Sequence, residues 1–89
     1  MNELIPFIKE RKGLIMFMDL VALEQRGTYL YAIVGIKERS LNDALKPSWK
    51  FRDILVNSEF TAQDFIDLCK VNKIKCSVFA GDSIERYIV

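Results

Sequence analysis

The chain has 89 residues, of which 51% are hydrophobic and 28% are charged, a balance typical of one small globular domain and not of a disordered segment. Thirteen basic and twelve acidic side chains leave a net charge of +1, which argues against a protein that coats nucleic acid without sequence preference. Because the sequence contains no histidine, it excludes Ser-His-Asp and Cys-His catalysis and nearly all catalytic zinc sites.

Cysteine usage and hydropathy limit the compartment in which the protein works. Cys69 and Cys76 have neither the number nor the spacing of a disulfide framework or a zinc motif, so we interpret them as reduced, apolar residues of a cytoplasmic protein. The first residues lack the pattern of a signal peptide. No apolar run approaches the ~20 residues that span a bilayer, so no membrane partner is expected.

The first third of the chain predicts a short helix followed by a β-hairpin. Asn2 can cap a helix that continues to Lys12, and Gly13 would end it. Two apolar runs then flank Gly27, which can supply the positive φ of a type I turn with a bulge. Residues 14–25 also contain good helix formers, so this segment could be a strand or a helix.

The second half of the chain predicts a strand, a helix and two further strands. Residues 48–56 alternate as a strand, and Thr61 and Asp64 have the spacing of a helix-capping box. A crossover through this helix would make the third and fourth strands parallel. We therefore predict a single α+β domain over 1–89, with the order α-β-β-β-α-β-β, a mixed five-stranded sheet and helices packed mainly on one face.

Asp19 lies in the middle of the apolar run LIMFMDLVAL. In a strand with strict alternation it would share its face with four apolar residues: Ile15, Phe17, Val21 and Leu23. A buried carboxylate without a partner is costly, so Asp19 is either a functional acid or a structural acid, which pairs with a basic residue such as Lys37 or Arg52 or lies hydrated near a sheet edge. We favour the structural role. A strand that is apolar on both faces also needs cover on both sides, and a second protein surface could supply it.

The order of the elements, with an acid midway along the first strand and FAGDS ending the fourth, resembles the first half of a ribonuclease H-like fold. The resemblance covers the chain from Gly13 onward, without the glycine-rich first turn of that family. It implies that two metal ions bind one acid on the first strand, one on the helix and one after the fourth strand. The matching positions here are Asp19, then Glu59 or Asp64, then Asp82.

The stretch KPSWKFR contains the only tryptophan of the chain. Its aromatic rings, together with Lys46, Lys50 and Arg52, could bind single-stranded nucleic acid by stacking and by phosphate contacts. The simpler interpretation is an edge strand with Trp49 and Phe51 pointing inward and the basic residues pointing outward. The same residue types also anchor protein–protein interfaces.

Charge segregation favours a protein partner, since 53–67 holds four acids and no base while 70–75 has a net charge of +3. We expect a non-enzymatic protein-binding module of the inhibitor or adaptor type, which occupies a partner's surface and forms a homodimer through its apolar hairpin. No catalytic residue, metal site or cofactor is expected. The alternatives are a nucleic-acid-binding module that uses 46–52 and a truncated ribonuclease H-like metal-dependent nuclease. The predicted binding residues are Tyr29, Tyr31, Trp49, Lys50 and Arg52.

Overall fold

A computed structural model describes residues 2–39, 49–80 and 83–87, with the backbone alone for 80 and 83–87. It confirms an α+β domain with two helices and a mixed sheet, and it makes the ambiguous segment after Gly13 a strand. No helix in the described ranges is long and apolar enough to cross a membrane. The elements in chain order are α1 (Leu4–Glu10), β1 (Ile15–Arg26), β2 (Tyr29–Glu38), β3 (Trp49–Val56), α2 (Ala62–Val71), β4 (Lys75–Ala80) and β5 (Ser83–Tyr87).

The strands lie in the order β3-β2-β1-β4-β5, so β1 is central. β2 pairs antiparallel with both β1 and β3, whereas β4 pairs parallel with β1. β3 and β4 therefore run in the same direction, as the crossover predicts, with two strands between them. Four strands are described with their side chains, and β5 by its antiparallel backbone pairing with β4. The central position of β1 gives it a neighbouring strand on each side.

One face of the sheet, called the helix face below, forms the hydrophobic core with α1 and α2. Leu4 and Ile8 of α1 and Phe65, Ile66 and Cys69 of α2 are buried in the same cluster as the strand residues of this face. No described helix covers the opposite face, called the open face below. The strand residues buried on the helix face include Met18, Leu20, Ala32, Val34, Ile36, Ile54, Val56, Cys76 and Val78.

Two β-bulges in β1 correct the predicted set of residues around Asp19. The register with β2 shifts between Ile15 and Phe17 and again between Leu20 and Ala22. Each bulge adds one residue and inverts the alternation of side chains beyond it. Ile15 and Leu23 therefore lie on the helix face, and Asp19 shares the open face with Phe17 and Ala22.

The turn between β1 and β2 is also shorter than predicted. Arg26 pairs directly with Tyr29, so Gly27 and Thr28 form a two-residue turn, and only Gly27 has a positive φ, of 61°. This pattern is that of a type II′ turn, which matches the right-handed twist of the strands, so the predicted type I turn with a bulge is wrong. α1 is shorter than predicted, from Leu4 to Glu10 with Glu3 at the N-cap position, although Asn2 Oδ1 accepts a hydrogen bond from the Leu4 N–H at 3.0 Å.

Both ends of α2 are fixed by hydrogen bonds. The predicted capping box is formed, because the Asp64 N–H donates to Thr61 Oγ1 at 3.2 Å and the Thr61 N–H donates to Asp64 Oδ2 at 2.9 Å. At the other end the Ile74 N–H donates a hydrogen bond to the Cys69 carbonyl at 2.9 Å. Lys73, which precedes Ile74, has a φ of 57°. This is a Schellman motif with a lysine at the position that usually holds glycine.

β3 forms one edge of the sheet, and two of its carbonyl groups accept hydrogen bonds that are not part of the strand pairing. The Leu55 carbonyl accepts from the Glu3 N–H at 2.8 Å, which ties α1 to this edge. The Phe51 carbonyl accepts from Arg52 Nη1 at 2.9 Å.

Candidate functional site

The open face is arranged in two parts along the strands. At the hairpin end the register brings together five apolar or aromatic residues, which we call the hairpin face: Ala22, Tyr29, Tyr31, Ile33 and Leu55. At the other end, where β1, β3 and β4 begin and β2 ends, lies a cavity of about 590 Å³. Its lining residues are Ile15, Met16, Phe17, Asp19, Lys37, Arg39, Trp49, Lys73, Lys75, Ser77 and Phe79.

The charges beside the hairpin face are paired with one another. The guanidinium of Arg26 donates to Glu24 Oε1 at 3.0 Å and to Asp53 Oδ2 at 2.8 Å, and it lies 4.8 Å from the centre of the Tyr31 ring. The hydrogen bonds that Arg26 donates to these two carboxylates raise its pKa. The Arg26 guanidinium therefore forms ion pairs with both Glu24 and Asp53 and also contacts the Tyr31 ring.

Aromatic rings form the wall of the cavity. The rings of Phe17 and Trp49 meet edge to face, with centres 5.6 Å apart and an interplanar angle of 84°. Gly35 makes room for this arrangement, because a Cβ at that position would lie 3.2 Å from Phe51 and 3.4 Å from Trp49. Phe79 lines the cavity from β4 and is 43% exposed.

The floor of the cavity holds Asp19, whose carboxylate accepts a hydrogen bond from the Ser77 hydroxyl of the neighbouring parallel strand. Ser77 is buried and Asp19 is half-buried. The predicted ion pair with Lys37 or Arg52 is therefore replaced by a hydroxyl partner. Arg52 could not reach this position, because it lies on the helix face.

Four cations surround the floor of the cavity: Lys37, Arg39, Lys73 and Lys75. They come from the end of β2, the α2–β4 turn and the start of β4, so elements far apart in sequence contribute to one basic rim. Asp19 is the only carboxylate among the described lining residues. The net charge of the whole chain is +1, so this cavity concentrates positive charge.

The left-handed backbone of Lys73 should cost stability. We expect Lys73→Gly to raise the free energy of unfolding by roughly 0.5–1 kcal/mol, because glycine adopts a positive φ without the steric penalty of a Cβ. Urea denaturation followed by circular dichroism measures the change. Lys73→Ala is the matched control, since it removes the same amine and keeps the penalty. Equal stability of these two variants would contradict the interpretation.

The structure separates the predicted binding residues onto two faces. Tyr29, Tyr31 and Trp49 lie on the open face, whereas Lys50 and Arg52 pair with residues of the helix face and are exposed there. The expected inward orientation of Trp49 and Phe51 is wrong, because both point away from the core and are 41% and 62% exposed. The buried residues of β3 are Ile54 and Val56, which have even numbers. Because side chains alternate along a strand, the odd-numbered Trp49 and Phe51 point to the opposite face.

The described acids among those assigned by the ribonuclease H-like resemblance, Asp19, Glu59 and Asp64, form no metal-binding group. Asp19 lies on the open face, whereas Asp64 caps α2, which packs on the helix face. Asp82 and Lys46 lie outside the described residues. Elsewhere in the chain, over the parts that are described, no group of three or more acidic or cysteine side chains could hold a metal ion.

Neither cysteine offers a reactive thiol. Cys69 and Cys76 are free and buried on α2 and β4. Burial raises the pKa of both thiols, and in Cys69 the neighbouring Cys76 adds to the rise. Because the thiolate is the nucleophile, these residues serve as apolar core residues, as their sequence context predicts.

Several cavity residues were not singled out by the sequence interpretation. Gly35 carries the clearest available signal, because a glycine inside an apolar strand often marks a close approach by another group. Lys73 and Lys75 appear in sequence only as part of a charged run. Comparison with protein-family models, curated proteins and solved structures found no match to this chain.

Proposed function

We propose that the protein is a non-enzymatic protein-binding module whose hairpin face packs against the same face of a second copy. The observation that supports this most directly is a sheet with one face under two helices and the other open. A cytoplasmic location and an inhibitor or adaptor role are part of the proposal, in which the dimer would occupy a further partner's surface.

Exposed aromatic residues on the open face support the proposal. Tyr29 is 59% exposed at the hairpin end of β2, and Phe51 is 62% exposed on the edge strand β3. Tyrosine, phenylalanine and tryptophan are enriched at protein interfaces, because they bury a large area at a small entropic cost. Of Tyr29 and Phe51, only Tyr29 belongs to the hairpin face, where it neighbours Tyr31 on the same strand. Exposed apolar patches on a sheet often mark a contact surface.

The charge pattern favours a second copy as the partner. Arg26 already bonds to Glu24 and Asp53, so closure of two hairpin faces would bury no charge without a partner. A two-fold axis places the same surface on both subunits, and an apolar surface with internally paired charges is complementary to itself. The small size of the patch predicts a weak dimer, with a dissociation constant of about 1–100 µM.

Sedimentation velocity over about 1–200 µM tests this proposal. We expect the wild-type protein to form dimers, and Tyr29→Glu to weaken association more than about tenfold, because it places an unpaired charge in the interface. Tyr29 is exposed, so the substitution should leave the fold intact, which circular dichroism verifies.

The matched control is Val71→Glu, which introduces the same charge at a residue of α2 that is 80% exposed. It should dimerise like the wild-type protein. A wild-type protein that stays monomeric over the whole range overturns the proposal. Loss of dimerisation in Val71→Glu, with none in Tyr29→Glu, would also overturn it, because the contact would then lie on the helix side.

A further inference from the structure

We infer that the cavity on the open face binds a nucleotide unit, either a free nucleotide or one unit of a single-stranded nucleic acid. This inference does not rest on the proposed dimer, because the cavity and the hairpin face occupy different ends of the open face. Three chemical features of the cavity support it: aromatic walls, a basic rim and a hydrogen-bond acceptor on the floor.

The aromatic walls offer surfaces on which a base can stack. Trp49 is held by the edge-to-face contact with Phe17 and still exposes 41% of its surface. Phe79 presents a second exposed ring from β4. Bases stack on such rings regardless of sequence, because every base has a π face.

The basic rim supplies partners for phosphate. Lys37 and Lys75 pair across β1 with the same residue, Phe17, so the two amines flank one of the stacking rings. Lys73 also lines the cavity, and its backbone has a left-handed conformation that glycine would adopt with less strain. Backbone strain that places a charged side chain at a cavity is typical of functional sites.

Asp19 separates a nucleotide from simpler anions. A free phosphate can pair with the basic rim, but it brings negative charge toward the Asp19 carboxylate and leaves that carboxylate without a further hydrogen-bond donor. A nucleoside instead offers base N–H groups and sugar hydroxyls that donate to carboxylate oxygens. A carboxylate can accept several hydrogen bonds, and the Ser77 hydroxyl uses one of them. The cavity volume of about 590 Å³ lies within the range of small-ligand sites.

Trp49 is the only tryptophan, so its fluorescence reports on stacking in this cavity. We expect the four nucleoside monophosphates, or a mixed-sequence oligonucleotide of about ten nucleotides, to quench it with saturation. Lys75→Ala should weaken binding more than about fivefold. Lys50→Ala is the matched control: it removes an exposed lysine next to Trp49 in sequence but on the helix face, and it should change binding less than about twofold.

Asp19→Asn gives a readout that a structural role would not produce. Removal of the Asp19 charge should weaken the binding of adenosine. It should strengthen the binding of pyrophosphate, which is measured by its competition with the nucleotide. Opposite changes for the two ligands support the assignment of Asp19 as the acceptor for a nucleoside. Changes in the same direction would contradict it.

Salt dependence separates the two sources of the nucleotide. Tighter binding of the oligonucleotide, falling with salt at a log–log slope of about 0.7 per phosphate contact, identifies single-stranded nucleic acid. Equal or tighter binding of a monophosphate identifies a free nucleotide.

Three results would overturn the inference: absence of quenching by either ligand, an equal loss of binding in Lys50→Ala and Lys75→Ala, or equal competition by an oligoglutamate. Tyr29→Glu should bind nucleotides normally, so failure of the dimer proposal is measured separately.

Discussion

Replacement of Phe65 by alanine is expected to lower the free energy of unfolding by about 3–5 kcal/mol. Phe65 is the largest of the fully buried side chains and lies in the cluster that joins α2 to the helix face of the sheet. A domain of this size has a total stability of roughly 5–13 kcal/mol, so the variant should lose a large part of it. Urea denaturation followed by circular dichroism gives the value.

Two further substitutions show whether packing is the cause. Phe65→Leu retains most of the apolar volume and should cost less than half as much, so it remains measurable even if the alanine variant fails to fold. Val71→Ala removes an apolar side chain from the same helix at a position that is 80% exposed, and it should change stability by less than about 0.5 kcal/mol. Equal losses at Phe65 and Val71 would contradict the burial of Phe65.

Alkaline pH should destabilise the protein through its two buried thiols. Burial raises the pKa of Cys69 and Cys76, so both stay protonated in the folded state. The unfolded chain releases these protons above its ordinary cysteine pKa of about 8.5, and this release draws the equilibrium toward unfolding. Stability is therefore fully present below that pH and falls above it, by up to about 1.4 kcal/mol per pH unit for each thiol.

The double variant Cys69→Ala/Cys76→Ala isolates this contribution. Its stability at neutral pH will be lower because it loses two buried sulfurs, so the comparison concerns the slope with pH. Between about pH 8 and pH 9.5 the wild-type protein should lose at least about 1.3 kcal/mol more than the double variant. Parallel pH profiles would show that the thiols do not contribute. Lysine and tyrosine titration is common to both proteins and cancels.

Local sequence signals predicted the elements of this fold well. The capping box of Thr61 and Asp64 depends only on neighbouring residues, so it can be read from a short segment. The predicted end of α1 was less accurate, since the helix ends at Glu10 and not at Lys12. The bulges at Met16 and Val21 could not be predicted, because they exist only relative to the partner strand. Because of these bulges, Ile15 and Leu23 lie on the helix face and not on the face of Asp19, where strict alternation would place them.

The site was harder to predict than the fold. The sequence indicated aromatic binding residues at Tyr29, Tyr31 and Trp49, and the structure places these three on one open face. Lys50 and Arg52, two of the basic partners expected beside Trp49, lie on the other face, since adjacent residues of a strand point in opposite directions. The cations that line the cavity come from distant parts of the chain, so only the pairing of β1 with β2 and β4 brings them together.

The bonds to the outer carbonyls of β3 have a consequence for how this protein can associate. Phe51 and Leu55 are four residues apart in β3, so their carbonyl groups point to the same edge of the sheet. The Phe51 carbonyl accepts a hydrogen bond from Arg52, and the Leu55 carbonyl accepts one from Glu3. An incoming strand would have to displace a guanidinium and the start of α1 before it could extend the sheet. Fibril-like stacking through this edge is therefore disfavoured.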